Sequence, residues 1–357
     1  MKFDYVIGNP PYQKESEGAI SKSNGQKPMT NIFHYFQEEA DKIASKCSIL
    51  IYPGGRWIHQ SGKGLKQFGL KQINDPKLAK IVLYPDSTEV FPSGDASLSD
   101  GISIVVKKTN KKASGFQYVY RKKGKELSIE TDNPGDQLMP LDPHDLPISQ
   151  KIQKIVESNK WKFMHESILP RSLFGIESSF AEEHPALVRK DDGTADFDKG
   201  EIRLLTNDKA GKAGRATWFI TDRDNIPNGQ RYINQWQVVV SSANAGGQKR
   251  DNQIEIIDNH SAFGRSRLAL GSFMTQKEAE QFYAYLNTYL IRYAFLLTDE
   301  SLSSLGKRVP DLRPFDEHTS LDFTRPLDEQ IEELFELTAE EKEYIHNRVD
   351  KLRENEK

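Results

Sequence analysis

The stretch Phe3-Asp4-Tyr5-Val6-Ile7-Gly8-Asn9-Pro10-Pro11-Tyr12 decides how the rest of the chain is read. A short apolar run stops at a glycine, an asparagine and two prolines. Each proline lacks an amide hydrogen and holds φ near −65°, so neither continues a sheet ladder or a helix. A strand over residues 3–7 therefore ends here in a stiff loop. Three more runs have the same apolar, Ile- and Val-rich character: residues 48–52, 80–84 and 102–106. Between them lie helical patterns. Residues 30–45 place Ile32, Phe33, Phe36, Ala40 and Ile43 near one face, with Thr30 as the expected N-cap. Residues 61–74 hold a second helical pattern. This alternation predicts a doubly wound α/β sheet with mostly parallel strands.

Composition narrows the classes. A chain of 357 residues has room for two domains, at roughly 100–200 residues each. A net charge of −3 excludes a uniformly basic nucleic-acid coat, while 49 lysines and arginines leave room for local patches. Cys47 is the only cysteine, so there is no disulfide framework and no cysteine zinc site. That agrees with a reducing, cytoplasmic location. The longest apolar runs are about five residues, as at Tyr293-Ala294-Phe295-Leu296-Leu297, against the about 20 a membrane helix needs. The N-terminus has no signal-peptide pattern. His34, His59, His165 and His260 lack metal-ligand spacing, and no metal is expected. No Asp…Glu-x-Lys constellation points to a nuclease.

The loop after the first strand suggests a chemistry. Ligands of open α/β sheets bind beyond the carboxyl ends of strands. Two prolines there leave carbonyls facing outward, and Asn9 adds a side-chain carbonyl. Convergent acceptors suit the two hydrogens of an exocyclic amino group. Tyr12 offers a flat face for a planar ring. An amine held this way has its lone pair drawn out of ring conjugation and can attack a methyl group in line.

These residues resemble the catalytic motif of S-adenosylmethionine-dependent amino-group methyltransferases, in the variant of the DNA adenine-N6 methyltransferases of type II restriction-modification systems. Protein-glutamine and ribosomal-RNA guanine methyltransferases share the tetrapeptide. The resemblance continues through Asn31-Ile32-Phe33-His34-Tyr35-Phe36, Ile51-Tyr52-Pro53-Gly54-Gly55-Arg56-Trp57, Thr88-Glu89-Val90-Phe91-Pro92 and Gly101-Ile102-Ser103-Ile104-Val105-Val106. It implies a partial Rossmann-like sheet. Asn9, Pro10, Pro11 and Tyr12 would be catalytic, and Tyr12 and Phe91 would stack a target base flipped out of the duplex. Flipping costs a few kcal/mol, and base–aromatic stacking returns roughly 1–3 kcal/mol per base. The family's glycine-rich cofactor loop is not found, either before Asn9 or around Gly211-Lys212-Ala213-Gly214, Ala245-Gly246-Gly247 and Gly264. The chain therefore resembles the C-terminal portion of such an enzyme. Its expected partners are double-stranded DNA and a companion chain carrying the cofactor half.

Beyond the first domain, Lys107, Lys108, Lys111, Lys112, Arg121, Lys122, Lys123 and Lys125 form a run free of acids. Such a run suits phosphates better than base edges. The expected organisation is a catalytic part at 1–110, a basic segment and linker at 111–146, a mixed α+β target-recognition domain at 147–326 and a helical segment at 327–357. Helices are predicted at 147–157, 275–297 and 327–354. The recognition reading draws on a resemblance of Trp236-Gln237-Val238-Val239-Val240-Ser241, Leu270-Gly271-Ser272-Phe273-Met274-Thr275 and Phe282-Tyr283-Ala284-Tyr285-Leu286-Asn287-Thr288 to the recognition regions of these methylases. Gln248, Lys249, Arg250 and Asn252, with Arg265 and Arg267, carry the donors and acceptors that read guanine and adenine edges. Two alternatives stay open: a non-catalytic DNA-binding specificity subunit, and an RNA or protein amino-group methyltransferase.

Overall fold

In the computed structural model the chain divides into two compact units, residues 1–147 and 148–357. All residues are described except 1, 17–26, 28, 61–63, 93–97, 99, 210–215, 242–253, 298–304, 314–320 and 355–357, together with the side chains of 352–354.

The first unit is built on a six-stranded sheet. The opening stretch forms β1 (Phe3–Gly8), which pairs in parallel with β4 (Ala44–Pro53). Between them lie a short hairpin, β2 (Gln13–Glu15) with β3 (Met29–Asn31), and helix α1 (Phe33–Ile43). Helix α2 (Leu65–Ile73) connects β4 to β5 (Leu78–Tyr84). Next come β6 (Ile102–Lys108), β7 (Phe116–Lys122) and β8 (Lys125–Thr131), giving the order β1-β4-β6-β5-β7-β8.

All four predicted strands form, but the sheet is mixed rather than mostly parallel. The pairs β1–β4 and β5–β7 are parallel, whereas β6 runs antiparallel to both its neighbours and β8 to β7. The cause lies in the β5–β6 connection. Its described residues hold only a 3-10 turn at Ser87–Glu89. A parallel return needs a crossover of a dozen or more residues, usually a helix.

Two details of α1 also differ from expectation. Thr30 lies in β3, opposite Lys14, and the helix starts at Phe33 without a side-chain cap. Phe36 is exposed, and the buried face is Phe33, Gln37 and Ala40. Gln37 is buried because Tyr52 Oη donates to it and its own amide reaches Asp41 (2.7 Å) and Ser48 (3.3 Å).

Both helices cover one face of the sheet. Phe33, Ala40, Leu65, Phe68 and Ile73 pack there on Leu50, Tyr52, Ile81, Leu83, Val105 and Tyr118. Residues 111–146 are not a linker. They supply β7 and β8 and then fold back, with Met139 in the core and Tyr118 Oη donating to the Leu141 carbonyl at 2.6 Å.

The second unit begins with α3 (Leu146–Ser158) and carries short strands β9 (Lys162–Phe163), β10 (Val188–Lys190), β11 (Glu201–Asn207), β12 (Ala216–Asp222), β13 (Trp236–Ser241), β14 (Glu255–Ile257), β15 (Ser261–Phe263) and β16 (Arg267–Phe273), with the one-turn helices α4 (Phe180–Glu183) and α5 (Gln230–Ile233) between them. All but β9 form two small sheets, β10-β12-β11-β15 and β14-β13-β16. The helical pattern at 275–297 divides into α6 (Gln276–Leu286) and α7 (Tyr289–Leu296). Thr275 and Glu278 open α6 with a reciprocal capping box. After a short β17 (Pro310–Asp311), α8 (Leu327–Leu334) and α9 (Ala339–Glu354) close the unit. Ile331, Phe335, Ile345 and Val349 share a core with Tyr293 and Phe295, so this terminal pair belongs to the second unit. The unit is a mixed α+β assembly.

Candidate active site

Strands β1, β4, β5 and β7 all run in one direction, so their carboxyl ends share one end of the sheet. That end carries the Asn9–Tyr12 loop, the turn after Pro53, the Phe91 turn and the β7–β8 hairpin. In the first of these, Asn9 and Pro11 are exposed, Pro10 is buried and Tyr12 is half-buried. The loop is anchored where it leaves: the Ile32 amide, next to the start of α1, donates to the Tyr12 carbonyl at 3.0 Å. The Tyr12 ring packs against the core. Its hydroxyl is buried and has no hydrogen-bond partner among the described residues. Burial pushes the phenol up to about 12, so it stays neutral near pH 7.

The turn after β4 is locked by backbone contacts. Gly54 donates to the Gly101 carbonyl at 2.7 Å and Gly55 to that of Asp100 at 3.0 Å. A Cβ at Gly54 would lie 1.5 Å from the Asp100 oxygen, so no other residue fits. Trp57 is fully buried and donates to Ser103 Oγ at 2.9 Å. Phe91 is half-buried, and its amide closes the turn on the Ser87 carbonyl at 2.9 Å. Glu89 in that turn accepts from the Lys123 and Gly124 amides, at 2.9 and 3.3 Å. Phe91 is thereby tied to the β7–β8 hairpin. Tyr12 and Phe91 thus leave the same end of the sheet. Their strands are three spacings apart, roughly 14 Å, so the loops must lean across β4 and β6 to flank one ring.

The basic run is split by the topology. Arg121, Lys122, Lys123 and Lys125 lie at this carboxyl end, whereas Lys107, Lys108, Lys111 and Lys112 lie at the opposite end. Lys107 corrects the expectation of a phosphate contact. Its side chain is only 3% exposed, and its ammonium meets Asp41 at 2.6 Å and Asp75 at 2.5 Å. Gln72 adds a contact at 3.3 Å. A buried, doubly paired ammonium is not available to DNA. Burial works to raise the Asp75 carboxyl, but Lys107 and the Lys77 amide outweigh it, so the group sits below its usual value. Lys111 donates to the Pro76 and Gly115 carbonyls. Lys108, Lys112, Lys122, Lys123 and Lys125 are exposed, and Arg121 pairs with Glu126 at 2.5 Å.

In the second unit, Arg265 meets Glu177 at 3.1 Å and Arg267 meets Glu255 at 2.9 Å. Gln248, Lys249, Arg250 and Asn252 lie outside the described residues. Sequence reasoning missed the buried polar network of Gln37, Asp41, Ser48, Tyr52, Gln72, Asp75 and Lys107. Strand parity carried a signal: Ser103 and Lys107 share the side of Val105, as Ser48 and Tyr52 share that of Leu50. Among the described residues no cluster of three or more His, Cys, Asp or Glu could hold a metal, and no helix is long and apolar enough to cross a membrane.

Residues 1–91 match the Eco57I restriction-modification methylase family, so the first unit carries a methylase domain of that kind. The chain is also homologous to an uncharacterized adenine-specific methylase of Mycoplasma pneumoniae (strain ATCC 29342 / M129 / Subtype 1), with 30% identity over 132 residues, 37% of this chain and 30% of that protein. Among solved structures it is similar to the type IIL restriction-modification enzyme MmeI in complex with DNA, at 9% identity and a TM-score of 0.46, covering 98% of this chain and 57% of that one. It is also similar to the type IIG restriction endonuclease BpuSI, at 10% identity and a TM-score of 0.35, covering 99% and 53%. Neither structural likeness bears on the role of any residue. The match thus spans less than a third of the curated relative and little more than half of these two solved chains.

Proposed function

We propose that this chain positions the N6 amino group of an adenine, flipped from duplex DNA, for methylation within a restriction-modification system. The observation that supports this is the Asn9–Tyr12 loop, which stands at the carboxyl end of β1 with Asn9 exposed, Pro10 buried and the Tyr12 ring seated on the core. The Asn9 side-chain carbonyl and the Pro10 backbone carbonyl accept the two amine hydrogens. The Tyr12 ring stacks on one face of the base and Phe91 on the other. Because the Tyr12 hydroxyl is held neutral, no charge develops beside the ring. Arg121, Lys122 and Lys123 at the same end hold phosphates, and the second unit reads the target sequence, with Arg265 and Arg267 among its readers.

S-adenosylmethionine supplies the methyl group. Among the described strands none pairs with the far side of β1, and we place the seat for it outside this chain's described residues. The cofactor is held by a further segment or a companion chain.

The test is methyl incorporation and duplex affinity of the complete enzyme. Asn9→Ala removes one amine acceptor and leaves the stacking face. It should lower methyl transfer by on the order of 100-fold, the scale seen when one aligned polar partner of a transition state is deleted, while duplex binding survives. Tyr12→Ala should recover part of its loss on a substrate whose adenine sits opposite a mismatch, where flipping costs less. Near-normal turnover of Asn9→Ala would leave the loop as a mere strand terminator and end the methyltransferase reading.

A further inference from the structure

The hairpin between β7 and β8 carries a bond that its own ladder does not require. Lys122 and Lys125 pair across it, so the turn is Lys123 and Gly124 alone, with φ of 51° and 71°. A two-residue turn with both central residues left-handed leaves their amides outside the ladder. Successive backbone N–H groups of this kind form a seat for an anion. Here a carboxylate of the same chain takes it. The Lys123 amide donates to Glu89 Oε1 at 2.9 Å and the Gly124 amide to Glu89 Oε2 at 3.3 Å. The first central position usually falls to Asn or Gly. At Lys123 the strained backbone is offset by the bond to Glu89, and an ammonium is placed beside it.

Glu89 is exposed, so the bond does not serve to satisfy a buried group. Its purpose follows from the turn on which Glu89 stands. Asp86 accepts from the Thr88 amide at 2.9 Å and from its hydroxyl at 2.6 Å. The Val90 and Phe91 amides both close on the Ser87 carbonyl, at 3.1 and 2.9 Å. Ser87 is itself buried, and its Oγ accepts from the Leu98 amide at 2.9 Å. Residues 86–91 are thus one bonded block, with Glu89 gripping the hairpin and the Phe91 ring two residues on. On the hairpin, Arg121, Lys122 and Lys123 stand within two residues of the seat. An acid among cations that served phosphates alone would only weaken their attraction. Resting on the reading above, in which those cations hold phosphates and Phe91 stacks on the flipped adenine, the two duties meet at this carboxylate. We infer that Glu89 is a positioning residue: through the two hairpin amides it lets phosphates bound at the β7–β8 hairpin fix the place of Phe91 against the base.

The test uses the complete enzyme and a duplex that it selects from a random pool, with 2-aminopurine substituted at each adenine in turn. A base taken out of the stack loses the short-lived, stacked component of its fluorescence decay. Glu89→Ala should bind the duplex at least as tightly as wild type, yet restore the stacked component at the target position. It should lower kcat on the paired duplex by about tenfold, the scale of the two bonds lost. A target adenine opposite a mismatch should recover most of that loss, because flipping costs less there. Glu89→Gln keeps an acceptor oxygen and should fall between wild type and Glu89→Ala. Phe91→Ala should show the same flipping defect, and the double variant should be no worse than Phe91→Ala, because one residue acts through the other. Glu130→Ala removes the same charge from β8 away from the seat and should leave flipping unchanged. Wild-type flipping in Glu89→Ala, a loss that adds to that of Phe91→Ala, Glu89→Gln as impaired as Glu89→Ala, or weakened duplex binding with flipping intact would each overturn the assignment. If no position leaves the stack in wild type, the assignment falls together with base flipping. The fluorescence needs no methyl transfer, so near-normal turnover of Asn9→Ala would end the catalytic reading while leaving the Glu89 result to stand on flipping alone.

Discussion

The two lateral edges of the six-stranded sheet are opposites. β8 ends the sheet with Lys125, Glu126, Ser128 and Glu130 exposed along its length. Charge of this kind keeps an open ladder from pairing with another chain. β1 ends it with Phe3, Tyr5 and Ile7, and its only exposed charge is Asp4, held by Lys46 at 2.8 Å and Ser45 at 2.9 Å. Same sheet, same solvent, contrary surfaces: β8 is charged along its length and β1 is apolar. The Asn9–Tyr12 loop leaves the apolar edge, and four strands separate that edge from β8.

The contrast requires the sheet between the two edges to hold itself together, and Lys107 ties it to the helix layer through two carboxylates. Lys107→Ala leaves Asp41 and Asp75 facing each other without a cation. It should cost about 3 kcal/mol or more, read by urea unfolding of the full chain. Lys108→Ala, exposed one residue on, should stay within about 0.5 kcal/mol. The pH dependence has a definite sign. The Asp75 carboxyl is held below its unfolded value of 3.8, so its contribution is complete above that pH and is lost as pH falls below it. The gap between wild type and Lys107→Ala should narrow in the same acid window. A gap independent of pH would remove the ion pair from the account.

A more direct challenge exchanges the characters of the edges. The double variant Tyr5→Lys with Ile7→Lys should lower heat-induced aggregation of the isolated chain, seen by light scattering, with stability changes within about 0.5 kcal/mol per site. Glu130→Ile on β8 should raise self-association. If both edges respond alike, the distinction between the apolar and the charged edge collapses.

Smaller effects concern the carboxyl end. Replacing Arg121, Lys122 and Lys123 with alanine should flatten the salt dependence of duplex binding by about 0.9 in slope for each phosphate left without its cation. Lys107 should contribute nothing to that slope. Tyr12→Phe should be the mildest change. It removes a buried hydroxyl with no described partner, so stability should shift by no more than about 1 kcal/mol, toward neutral or stabilising. The stacking ring and methyl transfer should persist.

Much of this protein was determined by local sequence. The four short strands and the stop at Asn9-Pro10-Pro11 follow from side-chain branching and missing amide hydrogens, which act within a few residues. The helical segments at 146–158, 276–296 and 327–354 were visible in their apolar periodicity, although the break at Asn287-Thr288 divides the second of them. Strand direction was decided by tertiary structure, because nothing inside residues 102–108 says whether a helix or a tight turn brought the chain there. So was the fate of the lysine run. Lys107 and Lys122 look alike in sequence, yet one faces two carboxylates under the sheet and the other faces water at its far end. The exposure of Phe3, Tyr5 and Ile7 was likewise invisible in a run that reads as a buried strand. Burial depends on what covers each face, and the helices of the first unit pack on the other one.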